Sequence, residues 1–235
     1  SKGKLKTYNA SNGGGYTLEA ELGIEANGYA GPDFLGWEIK GHCGPVVTLM
    51  TPVPTGGHYK EKGIDWFIRT YGYPDKKGRP DRLNFGGIHK ANVSHKTTGL
   101  TFTATGFDEH SKDLDLDGAI QLLTQHGDVA SEWSFAKLLE HWNRKHAQAA
   151  YVPYSMEMKA DRFYHYDRIV DLGIGTDFLK FLEAVSSAGI YLDPGIKMEH
   201  ASTLKPKIKK RNQFRINYRN LPKLYDAWET IDVLT

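Results

Sequence analysis

Segments with helical and with strand-like hydrophobic spacing alternate along this chain of 235 residues, and this alternation constrains its fold more than any other feature. Residues 134–148 form the clearest amphipathic helix, and residues 177–188 form a second one. Residues 100–107 alternate apolar and polar side chains, as a half-buried strand does. Because helices and apparent hairpins follow one another, we predict a mixed α/β fold in which a central mixed β-sheet is flanked by helices.

The remaining elements are predicted to be short and separated by loops. The predicted helices lie at 16–24 (with Thr17 as a possible cap), 64–71 and 221–228. The predicted strands lie at 34–39 and 46–50 (a hairpin connection over 41–45), 119–123, 152–158 paired with 162–169, after Gly189, and at 214–217. The predicted loops and turns lie at 27–32, 52–63, 74–80 and 108–117.

The composition is that of an ordinary globular protein, with 40% hydrophobic and 25% charged residues. The length favours a single domain over residues 1–235, and disorder would require lower hydrophobicity and a more one-sided charge. No apolar run approaches the roughly 20 residues of a membrane helix, and the N-terminus lacks the apolar stretch of a signal peptide. We therefore expect a soluble, intracellular protein. Because the chain does not begin with methionine, we expect a processed product or a piece of a longer protein.

A single cysteine, Cys43, excludes an internal disulfide and a cysteine-based metal cluster. It directly follows an apolar segment, so a small buried thiol is favoured over a nucleophile.

Positive charge is concentrated near the C-terminus. Between Lys197 and Arg219 there are eight Lys and Arg residues against one Glu, whereas the whole chain carries a formal net charge of only +2. The rest of the chain is therefore net acidic. Such asymmetry is compatible with a surface that binds a polyanion, and equally with a solvated, mobile loop.

Asp33, Glu38 and Lys40 are the candidate catalytic residues. In a strand, alternate side chains share a face, so Glu38 and Lys40 point to one side while Trp37 and Ile39 point to the core. A bend at Gly36 would bring Asp33 to Glu38. Two converging carboxylates suit Mg²⁺, which takes few protein ligands and keeps its waters. A lysine beside that metal would orient the attacking water and stabilise charge on a phosphate.

The spacing of these three residues is not specific by itself, because many surface strands satisfy it by chance. On that alternative, Asp33 ends a turn and Glu38 pairs with a lysine. Three features favour the catalytic interpretation. Pro32-Asp33 precedes an aromatic residue, the intervening positions are apolar, and an acidic helix with Glu19 and Glu21 lies upstream.

Several motifs resemble the MvaI/BcnI family of monomeric restriction endonucleases, which belongs to the PD-(D/E)xK nuclease superfamily and is related to the mismatch-repair nicking enzyme MutH. The matching segments are Thr17-Leu-Glu19, Gly31-Pro-Asp33-Phe-Leu-Gly-Trp-Glu38-Ile-Lys40-Gly-His42, Thr48-Leu-Met-Thr51, Phe67-Ile-Arg69-Thr-Tyr71-Gly72, Ser131-Glu-Trp133-Ser-Phe135 and Phe214-Arg215-Ile216-Asn217. The resemblance implies that Asp33, Glu38 and Lys40 form the catalytic triad, with Asp33 and Glu38 as Mg²⁺ ligands, and that Glu19 supports the site.

The resemblance also assigns residues to DNA recognition. It implies that Arg215 contacts a guanine and that Asp193 and His200 contact bases. Where the family has a second recognition arginine, this chain has Gly195, so either Arg211 or a lysine takes that role, or the two sequences are offset locally. The residues suited to holding phosphates are Lys205, Lys207, Lys209, Lys210 and Arg211.

Two histidines are further candidates for contact with DNA. His42 follows Lys40 on the same strand face, and His58 lies on a glycine-rich loop that could reach a minor groove. A polar surface role is favoured for both. Asp113, Asp115 and Asp117 imitate the start of a calcium loop, but Thr124 stands where such a loop has glutamate, so an acidic turn is favoured.

The resemblance therefore implies a type II, Mg²⁺-dependent endonuclease that cuts double-stranded DNA at a CC-x-GG-type site by two successive nicks as a monomer. A catalytic lobe is expected at about 12–150 and a recognition-rich part at about 190–220. The implied setting is the bacterial cytoplasm, with an appended effector domain or a cognate methyltransferase as candidate partners. The alternatives are a MutH-like strand-nicking repair enzyme and a DNA-binding module without activity.

Overall fold

A computed structural model of the chain describes residues 12–24 and 33–234. The chain forms two compact units, each discontinuous in sequence. Unit 1 contains Ser1–Val46, His141–Asp177 and Leu221–Thr235, and unit 2 contains Val47–Glu140 and Phe178–Asn220. The division predicted above, a catalytic lobe at about 12–150 and a recognition-rich part at about 190–220 within one domain, stays a prediction. Within the described residues, no helix has the length and hydropathy needed to cross a membrane.

Unit 1 contains a five-stranded mixed sheet. Its strands are β1 (Glu38–His42), β8 (Gln148–Met158), β9 (Arg162–Tyr166), β10 (Ile169–Ile174) and β15 (Ala227–Asp232). β1 runs parallel to β8, and the other pairs are antiparallel. The mixed α/β fold and the pairing of 152–158 with 162–169 are thereby confirmed. The fully buried residues Tyr151 and Trp142 anchor the core of this unit.

Unit 2 contains three smaller sheets. All of their residues belong to this unit except Val46, the first residue of β2, which belongs to unit 1. One sheet joins β11 (Ile190–Leu192), β14 (Phe214–Asn217) and β2 (Val46–Met50). The second joins β13 (Lys207–Lys209), β12 (Gly195–Glu199), β4 (Arg82–Gly86) and β3 (Tyr73–Pro74). The third joins β5 (Thr101–Phe107), β6 (Leu114–Leu123) and β7 (Val129–Ser134). Phe214 lies at the centre of the core, with its ring centroid 5.5 Å from that of Trp133 and 6.0 Å from that of Phe181.

Among the residues that the structure describes, five α-helices accompany these sheets: α1 (Gly13–Glu21), α2 (Gly57–Glu61), α3 (Gly63–Tyr71), α4 (Phe135–His146) and α5 (Phe178–Ser186). Both amphipathic helices predicted from periodicity are present as α4 and α5. α5 buries Phe178, Phe181, Leu182 and Val185, as its apolar spacing requires. α4 begins in unit 2 and ends in unit 1.

Three predictions near the N-terminus are wrong. α1 begins at Gly13, so Thr17 lies inside the helix and does not cap it. The strand predicted at 34–39 begins only at Glu38, because residues 34–37 form a tight turn. No hairpin joins β1 to β2, because β1 pairs with β8 and β2 belongs to another sheet. The loop predicted at 27–32 lies outside the described residues.

Later in the chain, the helix predicted at 221–228 is also wrong. Residues Tyr218–Leu224 form a 3₁₀ helix that contains Pro222, and β15 follows. The backbone N–H of Asp226 donates to the carbonyl groups of Ile174 and Gly175, which directs the chain into the unit 1 sheet. The predicted loop at 52–63 contains α2, the acidic turn ends where β6 begins at Leu114, and the Cys43 side chain is exposed rather than buried.

Unit 2 contains a fully buried histidine, His89, from which a pH-dependent stability follows. Its Nδ1 lies 2.9 Å from the Gly87 carbonyl and its Nε2 lies 3.0 Å from the Thr98 hydroxyl. Burial, together with the neighbouring His95, lowers the pKa of His89 to about 4. Between about pH 4 and pH 6.5, His89 is therefore neutral in the folded protein and protonated in the unfolded chain.

We expect this histidine to remove about 3 kcal/mol of the free energy of unfolding as the pH falls from about 6.5 to about 4, since each pKa unit corresponds to roughly 1.4 kcal/mol. Above pH 6.5 it makes no such contribution. Urea unfolding of wild type and His89→Gln across this range measures the difference. The substituted protein should lose less stability on acidification, whereas His110→Gln, at an exposed site, should follow wild type. Equal losses in wild type and His89→Gln would contradict this expectation.

Candidate active site

A tight turn brings Asp33 back toward β1. Phe34 N–H donates to the Trp37 carbonyl at 2.9 Å, and Trp37 N–H donates to the Phe34 carbonyl at 2.8 Å. The two residues between them, Leu35 and Gly36, have φ values of 47° and 88°. Glycine adopts such angles without steric cost. The turn allows the Asp33 carboxylate to accept a hydrogen bond from Ile39 N–H at 3.2 Å, which places it beside Glu38.

Glu38 is a buried carboxylate held between two ammonium groups. Lys40 Nζ lies 3.0 Å from its Oε1, and Lys145 Nζ lies 3.2 Å from both oxygens. Glu38 and Lys40 meet because alternate residues of β1 share a face. Burial alone would raise the pKa of Glu38, but Lys40 and Lys145 outweigh burial and lower it. Glu38 is therefore ionised at neutral pH.

The pKa values of Asp33 and Glu19 are raised, whereas that of Glu38 is lowered. Partial burial raises the pKa of Asp33, and the nearby charge of Glu38 raises it further. Partial burial likewise raises the pKa of Glu19, and Asp33 and Glu38 add to that effect. These carboxylates repel one another, so the cluster favours an added cation.

Close packing of α1 brings Glu19 to this cluster. Tyr166 donates its hydroxyl hydrogen to the Gly14 carbonyl at 2.6 Å. A Cβ at Gly14 would lie only 2.3 Å from the ring of Tyr154, so a larger residue cannot occupy that position without displacing the ring. The small glycine therefore permits the approach that positions Glu19 on the same helix.

The donor set fits a hard divalent cation with few protein ligands. Within residues 12–24 and 33–234, no three Asp, Glu, His or Cys side chains converge closely enough to hold a metal by themselves. Asp33 and Glu38 supply two adjacent carboxylates, and Mg²⁺ characteristically takes one or two carboxylates and completes its shell with water and phosphate oxygens. His42, the next residue on this face of β1, is partly buried, and burial lowers its pKa.

Unit 2 carries a separate basic cleft of about 660 Å³. It is lined by Asp193, Pro194, Gly195, Lys197, Lys209, Lys210, Arg211 and Gln213. Two backbone hydrogen bonds hold it together, from Asp193 N–H to the Gln213 carbonyl and from Gly195 N–H to the Arg211 carbonyl. Burial lowers the pKa of Lys197, and repulsion from Arg82 and Arg211 lowers it further, which shows how densely cations are placed here.

Arg215 lies on β14 and pairs with an acid that borders this cleft. Its Nη1 donates to Asp193 Oδ2 at 2.6 Å. Beside Gly195, the side-chain carbons of Arg211 lie within 4.0 Å of the position that a Cβ would take. Arg211 therefore lies directly beside position 195, in ordinary van der Waals range of a side chain there.

The family model of the MvaI/BcnI restriction endonucleases matches residues 1–225. The chain belongs to this family. It is therefore a type II site-specific DNA endonuclease.

The fold of the endonuclease is also that of solved structures of the restriction endonuclease MvaI. The complex of MvaI with its cognate DNA substrate superimposes with a TM-score of 0.72 at 20% identity, covering 97% of this chain and 91% of that chain. MvaI in the absence of DNA gives a TM-score of 0.54 at 20% identity, covering 85% and 80% respectively. No curated protein sequence matches the chain.

The structure brings together the predicted catalytic residues of the endonuclease, Glu19, Asp33, Glu38 and Lys40, within unit 1. It also places the predicted DNA-binding residues Asp193, Lys209, Lys210, Arg211 and Arg215 at or beside the basic cleft. Two histidines were also predicted to contact DNA. His200 directly follows β12 with a φ of 58°, and His58 lies on α2, not on a loop, with its Nδ1 2.7 Å from the Tyr71 hydroxyl.

Sequence analysis of the endonuclease missed Lys145. It belongs to a basic run, Arg144-Lys145-His146, in the last turn of an amphipathic helix. Cations at a helix C-terminus ordinarily complement the helix dipole, so the run by itself does not indicate an active-site residue. Its contact with Glu38 spans 107 residues of sequence and only becomes apparent in the fold.

Proposed function

We propose that the endonuclease cuts both strands of DNA at a short CC-x-GG-type site, one strand after the other, as a Mg²⁺-dependent monomer. The observation that carries the catalytic part is the convergence of Asp33 and Glu38 beside Lys40. The basic cleft and the Asp193–Arg215 pair support recognition of specific bases.

Asp33 and Glu38 would hold the metal. When bound, Mg²⁺ supplies Lewis-acid stabilisation of the phosphate and lowers the pKa of a water molecule. Lys40, fixed by its contact with Glu38, orients the attacking water and stabilises the negative charge that develops on the phosphate. Glu19 supports the cluster from α1 by adding to its negative potential.

The Asp193–Arg215 pair matches the edge of a G·C base pair. Arginine donates two hydrogen bonds to guanine O6 and N7, and a carboxylate accepts one from cytosine N4. Both side chains are partly exposed and already aligned by their mutual hydrogen bond. Lys209, Lys210 and Arg211 would bind phosphates nearby, together with Lys205 and Lys207. Contacts from His42, His58 and His200 to DNA remain part of this proposal.

A supercoiled plasmid with one CC-x-GG site tests the cutting mode. We expect nicked circles to accumulate first and then to convert to linear DNA, because a monomer with one active site must cut the strands in turn. Mg²⁺ should be required, and a plasmid without the site should stay supercoiled. Accumulation of nicked circles without linear product would instead support a strand-nicking enzyme of the MutH kind.

The same proposal includes a cellular setting. An enzyme that cuts a five-base-pair site would damage the DNA of its own host, so we propose a cognate methyltransferase as its partner in the bacterial cytoplasm. An appended effector domain is compatible with this setting.

A further inference from the structure

Lys145 contacts Glu38 differently from Lys40. Lys145 Nζ lies 3.2 Å from Oε1 and 3.2 Å from Oε2, whereas the contact of Lys40 Nζ is with Oε1, at 3.0 Å. An ammonium equally close to both oxygens interacts with the whole carboxylate rather than with one oxygen. A divalent cation that binds this carboxylate meets the positive charge of that ammonium whichever oxygen it takes.

The charges of the cluster explain why a lysine is held there. Three carboxylates, those of Glu19, Asp33 and Glu38, face the two ammonium groups of Lys40 and Lys145. A buried carboxylate requires a compensating charge, and Lys145 supplies part of it. A divalent cation would supply the same compensation, so lysine and metal are alternative partners for Glu38.

The position of Lys145 allows it to leave Glu38. Its side chain is 22% exposed, compared with 12% for Lys40, and it extends from the last turn of α4. The four-carbon stem of lysine is flexible, and its ammonium is a compact charge with no fixed geometry. It can therefore turn from the carboxylate to a phosphate without movement of the helix.

We propose that Lys145 is a displaceable counter-ion of Glu38, which competes with the divalent metal for this carboxylate and weakens metal binding until DNA is present. The proposal rests on the proposed function, in which Glu38 is a metal ligand. Lys145 is thus a positioning residue that acts through Glu38. A DNA phosphate offers its ammonium another partner, so DNA binding and metal binding strengthen each other, as linkage requires.

Calorimetric titration of the protein with Mn²⁺, in the absence of DNA, tests the competition. Lys145→Met and Lys145→Gln remove the charge, and we expect both to bind Mn²⁺ about five- to fifty-fold more tightly than wild type, because a like charge next to the ligand is gone. Lys145→Arg keeps the charge and should remain near wild type. Lys137→Met, an exposed lysine on the same helix, should have no effect.

Thermal unfolding separates competition from a structural role. Without metal, Lys145→Met should unfold at a lower temperature than wild type, because Glu38 loses a partner. With Mn²⁺ its unfolding temperature should rise by more than that of wild type, because tighter binding stabilises the folded state further. In cleavage assays, Lys145→Met should reach half of its maximal rate at a lower Mg²⁺ concentration than wild type.

Equal or weaker Mn²⁺ binding by both neutral variants would overturn the proposal. A different result would overturn the metal site itself. If wild type binds no Mn²⁺, or if Asp33→Ala binds it as wild type does, the assignment of Asp33 and Glu38 as ligands fails, and the competition fails with it. The Asp33→Ala control therefore distinguishes the two failures.

Discussion

Asp33→Ala should abolish DNA cleavage while specific DNA binding persists. Asp33 is one of two carboxylates proposed to hold Mg²⁺, and loss of the metal removes several kcal/mol of transition-state stabilisation, which corresponds to at least about a thousand-fold in rate. The substitution leaves the basic cleft of unit 2 unaltered. Single-turnover cleavage and a binding assay with Ca²⁺ in place of Mg²⁺ measure the two properties on the same duplex.

Lys40→Ala should behave in the same way, because Lys40 is proposed to act on the water and the phosphate. Asp65→Ala is a suitable control, since Asp65 forms an exposed ion pair with Arg69 in unit 2, and such pairs contribute little to stability. Full cleavage by either active-site variant would refute the roles assigned here. Loss of both binding and cleavage, with a lowered unfolding temperature, would indicate a structural role instead.

The second large effect is expected at Arg215. Arg215→Ala should weaken binding to the cognate duplex by about 1–3 kcal/mol and relax the preference at one base pair, because a bidentate contact with guanine is lost. Lys209→Ala should instead weaken binding to all sequences alike and reduce the salt dependence, because a phosphate contact carries no sequence information. Competition between cognate and scrambled duplexes at two salt concentrations measures both effects.

Arg215→Lys provides a sharper control at the same position. Lysine keeps the charge but not the planar fork that fits both guanine acceptors, so binding to scrambled DNA should persist while discrimination falls. If Arg215→Lys and Arg215→Ala leave the preference for the cognate duplex unchanged, Arg215 does not read a base.

The cluster of Asp33, Glu38 and Lys40 was accessible to sequence analysis because its geometry is local. Glu38 and Lys40 share a face of one strand, a property that any strand confers on residues two apart. Asp33 joins them through a turn of two residues at Leu35 and Gly36. The strand itself was misplaced, since it was predicted at 34–39 and runs from Glu38 to His42. The apolar residues of the turn resemble strand residues, which explains the early start.

The hairpin predicted between β1 and β2 shows why connections were harder to predict. Proximity in sequence favours pairing of neighbouring strands, but β1 pairs with β8, more than a hundred residues later, where Glu38 lies opposite Ala149. Which strand β1 pairs with is decided by the burial of apolar side chains across the whole sheet. The last strand, β15, was missed for the same reason, since its hydrogen bonds with β10 are long-range and the helix predicted at 221–228 covers only its first two residues.

The sequence by itself determined the family, the mixed α/β fold and the carboxylate–lysine motif, because motif spacing and side-chain alternation are properties of neighbouring residues. The tertiary structure alone decided that Lys145 reaches Glu38 across 107 residues and that Arg215 meets Asp193 across 22. These contacts depend on which strands and helices pack together, and the free energy of that packing is shared among distant residues.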